Sequence, residues 1–133
     1  MTTVAEILKT KPAGEVFTVS PSDTILSALK LMADKGIGAV LVVGTSGKLE
    51  GIFSERDYAR KVVLLGRSSG DTPVSDVMTR AVRFVHPEQS TEQCMGLMTN
   101  NRIRHLPVMS GETIVGLISI GDLVKNIMSH QKF

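Results

Sequence analysis

Apolar residues change their spacing along this chain in a pattern that occurs twice. Val16-Phe17-Thr18-Val19 is β-branched and aromatic and reads as a strand, which Pro21 stops. Ile25, Ala28, Leu29 and Met32 then recur at the steps of a helix face. They predict a helix from about Thr24 to Lys35, capped by Ser22 or Asp23 and ended by Gly36. Ala39-Val40-Leu41-Val42-Val43 is a continuous apolar run, the mark of a buried strand. Thr45-Ser46-Gly47 turns the chain into a further strand over Leu49 to Phe53. Tyr58 to Val63 is compatible with a second helix, and Val4 to Leu8 with a short one at the start.

The same succession returns downstream. Val4-Ala5-Glu6-Ile7-Leu8 answers to Val74-Ser75-Asp76-Val77-Met78, and Val19-Ser20-Pro21 to Val85-His86-Pro87. Ala28 to Met32 answers to Cys94 to Met98, and Ile37 to Val42 answers to Ile103 to Val108. Gly111 turns the second copy into a strand over Thr113 to Ile118. Nearly the whole chain is two copies of one unit. The first repeat covers residues 1–65, a polar, turn-rich linker covers 66–73, and the second repeat covers 74–133. Each reads as a short helix, strand, helix, strand, strand and helix, a mixed α/β (α+β) architecture. Two such repeats together can bury what neither buries alone.

One stretch recurs with its polar residues intact. Gly51-Ile52-Phe53-Ser54-Glu55-Arg56-Asp57 returns as Gly116-Leu117-Ile118-Ser119-Ile120-Gly121-Asp122. Each copy runs a buried strand end into a helix start, with Ser at the cap and Asp three residues on. This spacing suits a capping box, in which the serine accepts from the helix and the acid reaches back. It also suits a ligand. Free N–H groups at a helix start favour a phosphate, and a carboxylate beside them can accept two hydrogen bonds from a vicinal diol such as a ribose. A plain cap does not require the same Asp twice, so the doubled motif favours the ligand.

Composition narrows the classes. The chain has 133 residues and a formal net charge of +2, which announces neither a nucleic-acid nor a membrane partner. No apolar run approaches the ~20 residues of a membrane span. The first residues lack the basic-then-apolar order of a signal peptide, and the single Cys94 allows no internal disulfide, so a cytoplasmic setting is expected. His86, His105 and His130 sit in unlike contexts, and no Cys or His pair has metal-ligand spacing. With no Gly-rich phosphate loop of the P-loop or dinucleotide type either, enzyme chemistry is not expected. Phe17, Phe53, Tyr58, Phe84 and Phe133 offer no basic stripe of stacking aromatics, so nucleic acid is not expected. Met32, Met95 and Met98 at helical spacing belong to the core, and Cys94, on the same apolar face, reads as a buried inert thiol.

Ile103-Arg104-His105-Leu106-Pro107-Val108, the two Gly-x-x-Ser-x-x-Asp stretches and Val77-Met78-Thr79 together resemble the tandem of cystathionine-β-synthase (CBS) domains called a Bateman module. The resemblance covers nearly the whole chain. It implies two β-α-β-β-α units about a pseudo-twofold axis, and clefts between them that bind adenine nucleotides of the AMP, ATP or NAD type. It also implies a stand-alone ligand-sensing role without catalysis, assembly into a homodimer and an effector protein as partner. By the family pattern, Asp57 and Asp122 hold ribose hydroxyls and Ser54 and Ser119 contact phosphate. Ile103, Arg104, His105, Leu106 and Pro107 frame a base, as do Ile37, Gly38 and Ala39 in the first repeat. The family's cross-pairing sets Asp57 against the Arg104 strand and Asp122 against the Ala39 strand. The first repeat departs from the pattern, with Leu41 in place of Pro107 and Gly38-Ala39 in place of Arg104-His105. Arg80, Arg83, Arg102 and Arg104 all lie in the second repeat. Arginine forks pair with phosphate oxygens, so Arg104, with Arg56, is expected at a phosphate in the cleft that uses Asp57. Tyr58, Val62, Val63 and Leu65, with Leu123, Val124, Ile127 and Met128, provide apolar helix faces for the homodimer. The rival reading is a ligand-free protein–protein interaction and dimerisation module.

Overall fold

The computed structural model describes residues 2–11 and 16–129. His130 and Phe133, weighed above, lie outside them. In chain order the elements are α1 (Val4–Thr10), β1 (Thr18–Val19), α2 (Ile25–Lys35), β2 (Ala39–Val43), β3 (Leu49–Ser54) and α3 (Glu55–Asp57). A π-helical segment (Tyr58–Val63) and a 3-10 turn (Val74–Asp76) follow, then α4 (Thr91–Asn101), β4 (His105–Ser110), β5 (Thr113–Ser119) and α5 (Ile120–Ser129).

These elements form two units. One runs from Phe17 to Val82; the other joins residues up to Val16 with those from Arg83 onward. In the first, the sheet order is β1-β2-β3, with β1 parallel to β2 and β2 antiparallel to β3. Val19, Ile25, Ala28, Met32, Val40, Val42, Phe53 and Val62 form its core together with Val74, Val77 and Met78. In the second, β4 pairs antiparallel with β5, and Val85 adds a single parallel bridge to Val108. Its core is Val85, Cys94, Met98, Leu106, Val108, Ile118 and Leu123, together with Val4 and Ile7.

The sequence repeats and the spatial units are therefore drawn differently. The opening segment of each repeat docks on the other repeat, by matching backbone bonds. Val4 N–H donates to Gln89 O (2.8 Å) and Ala5 N–H to Pro87 O (2.9 Å). At the equivalent places Val74 N–H donates to Asp23 O (2.7 Å) and Ser75 N–H to Pro21 O (3.1 Å). The physical reason is that both segments carry apolar side chains at helical spacing. Val4 and Val74 are fully buried, which segments this short achieve only against another core.

Several local expectations are corrected. The helix cap is Thr24, whose Oγ1 accepts from Ser27 N–H at 3.1 Å. Asp23 instead turns its carboxylate back onto Ser20 N–H (2.9 Å), so neither Ser22 nor Asp23 caps. The strand expected over Val16–Val19 keeps only Thr18 and Val19, and the third strand of the second repeat is reduced to the Val85 bridge. The helix after Asp57 is not α. Its bonds skip to the fifth residue, as from Leu64 N–H to Ala59 O (3.2 Å) and from Arg67 N–H to Val62 O (3.0 Å). This wider turn buries Val62 and leaves Val63, Leu64 and Leu65 exposed. Gly36 ends α2 as expected, in the left-handed conformation (φ 63°); its counterpart Arg102 takes the same conformation with a side chain (φ 54°).

Candidate functional site

Both Gly-x-x-Ser-x-x-Asp copies stand at a strand-to-helix junction and both form capping boxes. In the Phe17–Val82 unit, Ser54 Oγ accepts from Asp57 N–H (3.2 Å), and Asp57 Oδ2 accepts from Ser54 N–H (3.0 Å) and from its hydroxyl (3.1 Å). In the other unit, Ser119 Oγ accepts from Asp122 N–H (3.1 Å), and Asp122 Oδ2 accepts from Ser119 N–H (2.8 Å). The capping reading is thus present in both copies, and it holds each carboxylate in one place.

The glycines of the motif are explained by the exchanged segments. A Cβ on Gly51 would stand 2.6 Å from Met78 Sδ and 2.9 Å from Thr79 O. One on Gly116 would stand 2.6 Å from a Leu8 methyl. At Gly51 the Thr79 backbone leaves no room for a side chain, whereas at Gly116 the Leu8 side chain would have to shift.

The two carboxylates differ in what else holds them. Asp57 Oδ1 accepts from Thr79 Oγ1 (3.1 Å) and pairs with Lys61 Nζ (3.2 Å), and Lys61 also donates to Val77 O (3.1 Å). Its side chain is 10% exposed. Asp122 pairs instead with Lys11, the residue closing α1. Lys11 Nζ donates to Asp122 Oδ2 (2.9 Å) and to Leu117 O (2.6 Å), and the Asp122 side chain is 23% exposed. Lys11, Lys61 and Thr79 were not singled out from the sequence. Thr79 and Lys11 reach their aspartates only because the opening segments are exchanged; the i,i+4 spacing of Asp57 and Lys61 was a signal that could have been read.

Burial pushes the Asp122 carboxyl upward, but the Ser119 N–H, the Lys11 hydrogen bond and charge, and the Ser119 side chain outweigh it, leaving it below its ordinary value. A carboxylate lowered in the fold contributes stability above its unfolded pKa, and that contribution is lost as pH falls through the folded value. Urea midpoints measured between about pH 5 and about pH 3 should therefore fall more steeply for wild type than for Asp122→Asn. Burial raises the Cys94 thiol to about 11, in keeping with an inert core thiol.

Beside each cap lies the start of the neighbouring strand. Gly38 O accepts from Glu55 N–H (3.0 Å) and Ala39 pairs with Ser54, while Ile37 N–H closes α2 on Met32 O (3.0 Å). In the other unit Arg104 O accepts from Ile120 N–H (2.9 Å), His105 pairs with Ser119, and Leu106 and Pro107 run on as buried strand. Ile103 N–H closes α4 on Met98 O (3.0 Å). Thus Ile37, Gly38, Ala39, Ser54, Arg56 and Asp57 gather in one unit, and Ile103 to Pro107, Ser119 and Asp122 gather in the other. Arg56 and Arg104 are on different units, and both are exposed. Arg80 is occupied structurally: its guanidinium donates to Ser75 O (2.9 Å). Among the described residues no group of His, Cys, Asp and Glu could hold a metal ion, and no helix is long and apolar enough to cross a membrane.

Two units of matched topology, each with a helix-capping Ser-x-x-Asp at the end of a hairpin, define a tandem α+β module. The family model of the CBS domain matches residues 4–64 and again 74–129, and the chain belongs to the CBS-domain family, as a CBS pair. A Burkholderia ambifaria protein with CBS domains, provisionally named a signal-transduction protein, superposes with a TM-score of 0.94 at 56% identity, covering 99% of this chain and 98% of that one. The mitochondrial CBS domain-containing protein CBSX3 of Arabidopsis thaliana is 38% identical over 98% of this chain and 67% of its own length. A hexameric CBS-CP12 protein from bloom-forming cyanobacteria superposes at 0.84 with 27% identity, covering 100% of this chain and 77% of that one.

Proposed function

We propose that this CBS pair is a regulatory module that binds an adenine nucleotide of the AMP, ATP or NAD type and has no chemistry of its own. The observation behind the reading is the recurrence, in both units, of a rigidly held carboxylate beside a strand start. The carboxylate suits a ribose diol, the helix start suits phosphate, and the strand backbone suits the edge of a base. Arg104, exposed just before β4, is the phosphate partner. A ligand that binds only the folded protein raises its melting temperature. A thermal-shift panel of AMP, ATP and NAD is the test. At least one should raise the melting temperature measurably; a panel that moves it by less than about a degree overturns the reading.

A second property of the module is self-association. Val63, Leu64 and Leu65 are exposed on one unit, and Val124, Ile127 and Met128 of α5 are exposed on the other. The CBS-CP12 relative is hexameric. Burying these side chains between identical chains favours a homodimer. Light scattering at tens of micromolar should give twice the chain mass; a monomeric mass refutes it. Should the nucleotide panel fail while the dimer stands, the chain is a ligand-free interaction module.

A further inference from the structure

We propose that Lys11 is a built-in competitor for the ligand at Asp122, one of the two carboxylates that the family pattern assigns to a ribose diol. This rests on the nucleotide reading above and goes beyond it in naming what opposes binding.

The placement at Asp122 follows from how each carboxylate is already used. Asp57 has both oxygens engaged: Oδ2 by the Ser54 N–H and hydroxyl, Oδ1 by Thr79 and Lys61. A diol arriving there would have to displace a hydroxyl and an ammonium from a buried group, with little room to approach. Asp57 serves as the clasp that ties segment 77–79 to its unit. At Asp122 the Ser119 N–H and Lys11 bonds both fall on Oδ2. A bidentate diol needs both oxygens. The Ser119 N–H belongs to the helix cap and stays; Lys11 is the partner that must give way.

Lys11 can give way at modest cost. Its side chain is 36% exposed, so its ammonium exchanges protein oxygens for water, and half-exposed ion pairs are weak. Yet it closes α1 through two contacts, to Asp122 and to Leu117 O, with Val4 and Ile7 buried behind it. Ligand arrival at Asp122 thus loosens the end of α1, a segment borrowed from the other sequence repeat. The chain thereby couples occupancy of one site to the hold on an exchanged helix.

Calorimetry with adenosine, a neutral diol, separates the possibilities. Lys11→Met should bind adenosine about two- to fivefold more tightly than wild type, the range of a partly exposed ion pair. Lys61→Met, which frees the other carboxylate's lysine, should leave adenosine binding unchanged. In wild type, saturation with adenosine should speed hydrogen exchange of the amides in the last turn of α1, a readout that needs no variant to fold. Adenosine binding that is unchanged or weaker in Lys11→Met, tightening in Lys61→Met instead, or exchange in α1 that is unchanged or slowed, overturns the inference while nucleotide binding stands. No binding of adenosine or AMP to either wild type or Lys11→Met overturns the nucleotide reading and this inference with it.

Discussion

Phe53→Ala should destabilise the protein by about 3–5 kcal/mol, the largest loss expected from a single side chain here. Phe53 is fully buried at the centre of the Phe17–Val82 unit, in the strand that leads into Ser54. Its ring meets a core drawn from β1, α2, β2 and the π-helical segment on one side of the linker and from Val74, Val77 and Met78 on the other. Truncation removes the transfer free energy of the ring and leaves a cavity. The β-branched neighbours Val40, Val42 and Val77 are stiff at χ1 and fill it poorly. Natural domains are stable by only about 5–15 kcal/mol, so this loss is a large share of the total. Urea denaturation measures it. A loss below about 1 kcal/mol would mean that the exchanged segment collapses into the space, and that the unit is less tightly specified than its packing indicates.

Arg104→Ala should weaken AMP about tenfold or more and adenosine far less. Arg104 precedes β4, its carbonyl is tied to Ile120 N–H at 2.9 Å, and His105 beside it pairs with Ser119. The backbone is thus anchored next to the Ser119–Asp122 cap while the guanidinium is exposed. Charge-assisted hydrogen bonds to phosphate are worth about 1.5–3 kcal/mol each, which is a factor of ten or more in affinity. Adenosine has no phosphate to lose. Calorimetry of both ligands on the variant decides the matter: equal losses would make Arg104 a structural residue and move the phosphate elsewhere.

Each side of the candidate site was legible to a different depth. Ser54, Asp57, Ser119 and Asp122 were visible because a capping box spans three residues and leaves its mark in any short window. The motif glycines were visible as positions but not as causes. Their reason lies in Met78, Thr79 and Leu8, which the chain brings to them from other segments. The π-helical turn after Asp57 was not legible, since Tyr58 to Val63 has the composition of an ordinary helix and only the burial of Val62 sets its register.

The sequence by itself determined the repeat, the order of strands and helices within it, the Ser54 and Ser119 caps, the Gly36 stop and the membership of Cys94, Met32 and Met98 in the core. All of these rest on spacings of a few residues, where backbone geometry imposes its periods directly. Only the tertiary structure decided that the opening segments are exchanged, that Lys11 rather than a helix neighbour holds Asp122, and that Thr79 completes the hold on Asp57. Lys11 lies 111 positions from Asp122 and 106 from Leu117. At such separations no local period survives. The partner is chosen by which apolar segment fills which core, and the polar contacts follow from where that segment comes to rest.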